Sequence, residues 1–97
     1  MKTTFNSSYD KVFKACISAL DKLNMSVEYF NKNSGIIEAS TKATFLSWGE
    51  DIKIHIIREG GRTVVKVKSD ASAQLISWGK DSKNENDIID ALKKKLN

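Results

Sequence analysis

Proline is absent from the 97-residue chain, and cysteine and histidine each occur once. The lack of proline excludes proline-rich recognition segments, and five glycines are too few for a collagen-like or flexible linker sequence. The single cysteine excludes an internal disulfide and any multi-cysteine metal site, and the single histidine leaves no pair for a zinc site. No apolar run approaches the 18 residues that would span a membrane. These absences favour a domain that folds around an ordinary hydrophobic core.

Apolar residues are numerous enough for such a core. Leu, Ile, Val and Phe together make up 25 of the 97 residues, which is above the level of disordered chains. A chain of this length forms one core, because chains divide into separate cores only at much greater length. We therefore predict one domain over residues 1–97.

Charge of one sign is not concentrated in any long segment. Sixteen basic and twelve acidic residues give a net charge of +4, and the two signs alternate along most of the chain. A dedicated nucleic-acid-binding protein more usually carries a clustered basic stripe, so nucleic acid is not the favoured partner. The first six residues lack the apolar segment of a signal peptide, which predicts a cytoplasmic protein.

A short strand over residues 2–5 and an amphipathic helix are predicted at the start of the chain. Ser7, followed three residues later by Asp10, resembles a capping box that opens the helix. Asn24 marks its end. The apolar stripe of this helix has helical spacing and consists of Val12, Cys16, Ala19, Leu20 and Leu23. Because Cys16 lies on this stripe, we expect it to be a small buried hydrophobic residue.

Two strands are predicted after the helix. Met25, Val27 and Tyr29 alternate with polar residues, which predicts a half-buried strand with these three side chains on one face. Residues 31–35 have the sequence Asn-Lys-Asn-Ser-Gly, which favours a turn. In the following strand the predicted inward positions are Ile37, Ala39, Thr41, Ala43 and Phe45.

A hairpin over residues 51–68 is the best specified element. Apolar residues alternate with polar ones on both sides of Gly60 and Gly61, and a two-residue Gly-Gly loop suits a primed turn. This turn predicts that Glu59 faces Arg62, Ile56 faces Val65, Ile54 faces Val67, His55 faces Lys66 and Lys53 faces Lys68. A shift of one residue would bury the lysines, so the apolar pattern and the turn support the same register.

A final helix completes the predicted fold. Ser82 and Glu85 form a capping-box pattern, and the stripe that follows consists of Ile88, Ile89, Leu92 and Leu96. The predicted element order is β-α-β-β-β-β-α. We predict an α+β fold in which two helices pack on one face of an antiparallel sheet.

A repeated motif contains both tryptophans. Residues 46–51, Leu-Ser-Trp-Gly-Glu-Asp, and residues 76–81, Ile-Ser-Trp-Gly-Lys-Asp, are near copies. The first motif precedes one hairpin strand and the second follows the other, so both should converge at the end opposite the Gly-Gly turn. Either the rings cover the core as a lid, or they form a binding patch with a polar rim. The candidate partner-binding or ligand-binding residues are Trp48, Trp78, Gly49, Gly79, Asp51 and Asp81.

These motifs resemble a family of small, uncharacterised bacterial domains. Members of that family carry an SWGE motif before one strand and a WGK motif, followed by an Asn, before the last helix. The corresponding segments here are residues 47–50 and 78–80, with Asn84 as the following Asn. The element order also resembles the TATA-binding-protein-like class, which includes the helix-grip lipid-binding proteins. Neither resemblance supplies a catalytic residue, and at this length any cavity should be small.

Lysines on the outer face of the hairpin form a second candidate site. Lys53, Lys66 and Lys68 share this face, and Lys53 opposite Lys68 places like charges across a strand pair. Either a neighbouring acid such as Glu38 offsets the repulsion, or the face binds an anion such as nucleic acid. His55 is expected beside Lys66 at a solvated position.

No enzyme signature is present in the sequence. Ser47 and Ser77 have no adjacent general base, and the Gly-Gly pair lacks the strand-loop-helix context of a phosphate loop. We therefore predict a non-enzymatic module without cofactor or metal. Its predicted function is to bind a protein partner or a small apolar ligand near the two Trp motifs. The alternative is weak nucleic-acid or anion binding through the lysines.

Overall fold

The computed structural model of the protein describes residues 1–41, 49–71 and 83–96. These ranges contain two helices, α1 (Tyr9–Lys22) and α2 (Lys83–Leu96). They also contain five strands: β1 (Lys2–Phe5), β2 (Ser26–Asn31), β3 (Ile36–Ser40), β4 (Glu50–Glu59) and β5 (Arg62–Ala71). The strands form one antiparallel sheet in the order β1-β5-β4-β3-β2. The predicted α+β fold and its element order are confirmed. Neither helix is long and apolar enough to cross a membrane.

The β4–β5 hairpin has the predicted register. Gly60 and Gly61 adopt φ angles of 57° and 81°, and two successive positive φ angles are what a primed two-residue turn requires. All five predicted pairs are present: Glu59 with Arg62, Ile56 with Val65, His55 with Lys66, Ile54 with Val67 and Lys53 with Lys68. The turn therefore sets which side chains share each face of the sheet.

The hydrophobic core lies between one face of the sheet and the two helices. Ile52, Ile54, Ile56, Val65 and Val67 supply the inner face of the hairpin, and each is at most 2% exposed. The helices contribute the residues of their predicted stripes to the same cluster, including Val12, Cys16, Leu20, Ile88 and Leu92. Both helices therefore cover one face, as predicted.

Cys16 is buried at the centre of this core, as its place on the stripe predicted. Burial raises the pKa of its thiol to about 12, because the apolar surroundings disfavour the thiolate. The thiolate is the reactive form of cysteine, so Cys16 acts as a core residue and not as a nucleophile.

The first helix begins one residue later than the capping-box pattern predicted. Ser8 is the N-cap, and its side-chain oxygen accepts a hydrogen bond from the amide of Lys11 at 3.3 Å. The prediction that Ser7 caps the helix is wrong. The carbonyl of Ser7 instead accepts a hydrogen bond from the hydroxyl of buried Thr63 on β5, at 2.8 Å. A contact with a distant strand thus decides which of the two adjacent serines caps the helix.

A bulge in β2 overturns the predicted face of Tyr29. The register with β3 shifts between Val27 and Tyr29, so Tyr29 lies opposite the outward residue Glu38. One extra residue in a strand reverses the faces of all residues that follow it. Phe30 consequently points toward the helices, where its ring contacts that of Phe13 with a centroid distance of 6.2 Å.

The predicted inward positions of β3 fall partly within the described ranges. Ile37 and Ala39 are buried, which confirms their orientation, whereas Ala43 and Phe45 lie outside the described residues. Val64, predicted on the outer face of β5, is only 2% exposed although it is not part of the core cluster. The outer side of the sheet is therefore not uniformly solvated.

Gly35 occupies a crowded site between β2 and β3. Its φ angle is 75°, its amide donates to the carbonyl of Asn31 at 2.9 Å, and its carbonyl accepts from the amide of Ile56 at 2.7 Å. A Cβ atom at this position would clash with the carbonyl oxygen of Ile56 and lie 2.8 Å from the Tyr9 hydroxyl. Only glycine adopts this positive φ angle without strain and fits in the space beside Ile56 and Tyr9.

We predict that Gly35→Ala lowers the free energy of unfolding by at least about 2 kcal/mol, because it adds a backbone clash to a strained angle. Gly60→Ala is the matched control, since its φ is also positive but no atom lies within 4 Å of the added Cβ. Gly60→Ala should lower the free energy of unfolding by only about 1 kcal/mol. Urea denaturation followed by circular dichroism measures both, and equal losses would contradict the crowding at Gly35.

Candidate functional site

The two Trp motifs connect to the same end of the hairpin. Glu50, the first residue of β4, lies opposite Ala71, the last residue of β5. The chain therefore enters and leaves the hairpin at the end opposite the Gly-Gly turn, as the sequence predicted. The other predicted residues of this site, Trp48, Trp78, Gly79 and Asp81, lie outside the described residues.

Glu50, in the first motif, links the start of β4 to the start of α2. Its Oε2 atom accepts a hydrogen bond from the side-chain amide of Asn84, and another from the hydroxyl of Ser69 at 2.9 Å. Its own amide donates to the hydroxyl of Thr41 at 2.7 Å. Glu50 belongs to the first motif and Asn84 follows the second, so this carboxylate holds the start of α2 against the hairpin. Sequence reasoning included Glu50 in the first motif but did not find this role.

A second carboxylate, Glu85, extends this polar network. Its side chain is largely buried, and Oε1 accepts from the amino group of Met1 at 3.1 Å. Oε2 accepts from the amide of Ser69 at 3.3 Å, while the Met1 amino group also donates to the carbonyl of Val67 at 2.8 Å. Glu85 thus joins α2, β5 and the start of β1. The capping-box pattern was the only sequence signal at this residue, and it did not indicate these partners.

Gly49 and Asp51 are the predicted site residues that the structure does describe. Gly49 is buried immediately before β4. Asp51 is exposed and lies opposite Asp70 in the hairpin register. Within the described ranges no three His, Cys, Asp or Glu residues are grouped as they would be to hold a metal ion. The described geometry at this end thus consists of the start of β4 held against the start of α2.

The predicted lysines form a larger cluster than the hairpin alone suggested. β1 pairs with β5 and places Lys2 directly opposite Lys66, which in turn lies opposite His55 on β4. Lys53 and Lys68 form the neighbouring row. All five side chains are exposed, and we call this set, Lys2, Lys53, His55, Lys66 and Lys68, the lysine face. Sequence reasoning missed Lys2, because the pairing of β1 with β5 was not predicted.

Like charges on the lysine face lie directly opposite each other twice, in the pairs Lys53–Lys68 and Lys2–Lys66. Directly opposed side chains have Cβ atoms about 5 Å apart, so each pair is repulsive. Glu38 is opposite Lys53 in the register, as the predicted offset requires, yet the two form no ion pair within 4 Å. The three ion pairs found in the described ranges involve other residues: Met1–Glu85, Lys32–Asp10 and Lys83–Asp87.

An open cleft of about 540 Å³ lies along the lysine face at the start of β1. It is lined by Met1, Lys2, Lys53, His55, Lys66, Val67, Lys68 and Glu85. The only carboxylate in this lining is Glu85, which already binds the Met1 amino group. The cleft therefore presents mainly positive charge to solvent.

No protein-family model matches the chain, and no match to a curated protein was found. The resemblance to the bacterial family with SWGE and WGK motifs, and to the TATA-binding-protein-like class, therefore stays a prediction.

We predict that Glu50→Ala lowers the free energy of unfolding by about 1–3 kcal/mol, because Asn84 and Ser69 both lose their acceptor. Glu59→Ala removes a carboxylate at the exposed hairpin tip and should change stability by less than about 0.5 kcal/mol. Urea denaturation of the two variants measures the difference. If Glu50→Ala were as mild as its control, the hydrogen bonds of Glu50 to Asn84 and Ser69 would contribute nothing to folding.

Proposed function

We propose that the protein is a binding module whose lysine face takes phosphate-rich polyanions. The observation that carries this proposal is the presence of two directly opposed lysine pairs. Among the described residues, no carboxylate forms an ion pair within 4 Å with any of these lysines, although Glu38 lies opposite Lys53. Like charges held opposite each other cost stability. A bound anion removes this cost by supplying the missing negative charge.

The arrangement suits several phosphates better than one. The four ammonium groups are distributed over three neighbouring strands, β1, β5 and β4, in two adjacent rows. Residues two apart on a strand are separated by roughly 7 Å, and strands by about 5 Å. His55 adds a ring N–H donor to the row that contains Lys2 and Lys66. An extended polyanion, such as a phosphodiester backbone, presents successive charges to such a surface.

Binding of this kind is independent of base sequence. Lysine contacts to phosphate give affinity but carry no sequence information. The exposed aromatic residue on the same side of the sheet, Tyr29, is separated from Lys53 by Glu38 on β3. Aromatic rings therefore do not alternate with the lysines, and stacking of bases does not contribute. We infer weak, salt-sensitive association.

We predict that a labelled oligonucleotide, single-stranded or duplex, binds at low salt and that Lys66→Glu abolishes binding. Lys66 is the central residue of its row, in contact range of both Lys2 and His55. Lys14→Glu on α1 is the matched control, because it changes the net charge equally at an exposed position on the helical side. Fluorescence anisotropy measures both variants, and the logarithm of the affinity should fall linearly with that of the salt concentration.

Two results would overturn the anion proposal. One is the absence of any signal for either oligonucleotide at low salt. The other is equal weakening by Lys66→Glu and Lys14→Glu, which would show that net charge and not the lysine face causes the attraction. Circular dichroism of both variants confirms that each remains folded.

A second function, binding of a protein partner or a small apolar ligand, is proposed at the two Trp motifs. The hydrogen bond from Asn84 to Glu50 favours it, because it joins the first motif to the start of α2, which the second motif precedes in the sequence. Aromatic anchors surrounded by polar residues concentrate binding energy at interfaces. On this proposal Trp48 and Trp78 are the anchors, with Gly49, Gly79, Asp51 and Asp81 around them.

We predict that Trp48→Ala and Trp78→Ala leave the melting temperature nearly unchanged and weaken binding of the neutral apolar dye Nile red. The dye is uncharged, so it does not report on the lysine face. Glu50→Ala provides a comparison that removes the hydrogen bond to the start of α2 without removing a ring. A loss of about 3–5 kcal/mol in both Trp variants, with dye binding unchanged, would show that the rings only complete the core.

A further inference from the structure

His55, the one histidine of the chain, belongs to the lysine face. Its side chain is exposed, and its register partner on β5 is Lys66. Histidine is the side chain whose ordinary change of charge falls between pH 5 and pH 8, whereas lysine stays charged throughout that range. The lysine face therefore contains one member whose charge depends on pH near neutrality.

Lys2, Lys66 and His55 form one row across β1, β5 and β4. Met1 and Val67 exchange two backbone hydrogen bonds, both of 2.8 Å, so the next pair, Lys2 and Lys66, is the type that exchanges none. The Cα atoms of such a pair are about 4.5 Å apart, the closer of the two spacings in an antiparallel ladder. A proton on His55 adds a third positive charge at the end of this closely spaced row.

The charged groups around His55 come from the strands, because both helices cover the opposite face of the sheet. The basic groups on its own face are Lys2, Lys53, Lys66 and Lys68. Its register partner on β3 is the apolar Ile36, and the exposed carboxylate of Glu38 lies two positions further along that strand. Glu85, in the lining of the cleft, binds the Met1 amino group at 3.1 Å. The neighbours of His55 are therefore four lysines and one exposed acid.

A bound polyanion changes the electrostatic surroundings of the His55 ring. A proton on the ring is repelled by the lysines and attracted by phosphate charges placed over the same row. A ligand that interacts more favourably with the protonated form also binds more tightly where that form is populated, because such coupling is reciprocal. The proton and the polyanion therefore favour each other's binding.

We propose that polyanion binding to the lysine face is coupled to uptake of a proton by His55. This inference rests on the proposed function, since it assigns a regulation to the same face. Below about pH 6 five positive charges meet the phosphates, and above about pH 7.5 four remain. The complex is therefore tighter in acidic surroundings, and binding draws one proton from the solvent.

The salt dependence of binding gives the number of charges that take part. Each phosphate neutralised on duplex DNA contributes about 0.9 to the slope of the logarithm of the affinity against that of the salt concentration. One additional charge at His55 should therefore make the slope steeper by about 0.9 between pH 7.5 and pH 5.5. A general tightening without a steeper slope has a different cause and would contradict a direct contact of His55 with phosphate.

Fluorescence anisotropy with a labelled duplex oligonucleotide at low salt tests the coupling. The wild-type protein should bind about fivefold or more tightly at pH 5.5 than at pH 7.5. His55→Gln, which is neutral at both pH values, should lose this difference. His55→Lys, which is charged at both, should bind at pH 7.5 as tightly as the wild-type protein does at pH 5.5. His55 is exposed, so both variants should fold, which circular dichroism verifies.

Two further measurements separate a local effect from one of net charge. The double variant His55→Gln with Lys14→His moves the histidine to an exposed position on α1, and its affinity should not depend on pH. Isothermal titration calorimetry of the wild-type protein in two buffers of different protonation enthalpy should show proton uptake on binding. This second measurement needs no variant, and any contribution from the Met1 amino group persists in His55→Gln and can be subtracted.

The outcomes distinguish this inference from the proposed function. Equal pH dependence in the wild-type protein and His55→Gln, pH dependence in the double variant, or binding without proton uptake would overturn the coupling and leave the polyanion site in place. Failure of the oligonucleotide to bind at any pH would instead overturn the proposed function, and the coupling with it.

Discussion

The ten-residue pairing between β4 and β5 is the constraint on which the other parts of the structure depend. It runs from Glu50 opposite Ala71 to Glu59 opposite Arg62 without interruption. Because side chains alternate between the faces of a strand, this one register directs the isoleucines and valines inward and the lysines outward. β1 and β3 pair on its two sides, and both helices cover its apolar face.

The candidate sites occupy different regions relative to this hairpin. The lysine face lies on its outer side, and the described part of the first Trp motif, residues 49–51, lies at its open end. The lysine face contains a local conflict that the described residues do not resolve, because its lysines lie directly opposite each other. Such conflicts occur where a protein meets something else, because a partner supplies the missing charge or apolar cover.

The accuracy of sequence reasoning varied with the range of the interactions involved. The hairpin register was predictable, since a two-residue Gly-Gly loop and period-two alternation act over a few residues. The N-cap of α1 and the face of Tyr29 were not predictable from the local sequence. Ser7 and Ser8 are equivalent as local caps, and a hydrogen bond from Thr63 to Ser7, 56 residues away, decided between them. The bulge at Glu28 leaves no mark in the hydrophobic pattern, because it moves Tyr29 outward and Phe30 inward while both remain partly exposed.

By itself, the sequence determined the number and type of elements, the two stripes that face the core, and the placement of Lys53, Lys66 and Lys68 on one face. These follow from spacing along the chain, which is a local property. Only the tertiary structure decided that Lys2 joins those lysines, that Asn84 binds Glu50 and that Glu85 binds the Met1 amino group. The partners in these contacts are 34 to 84 residues apart in sequence. Their meeting depends on how whole strands and helices pack, because the same local pattern is compatible with many choices of distant partner.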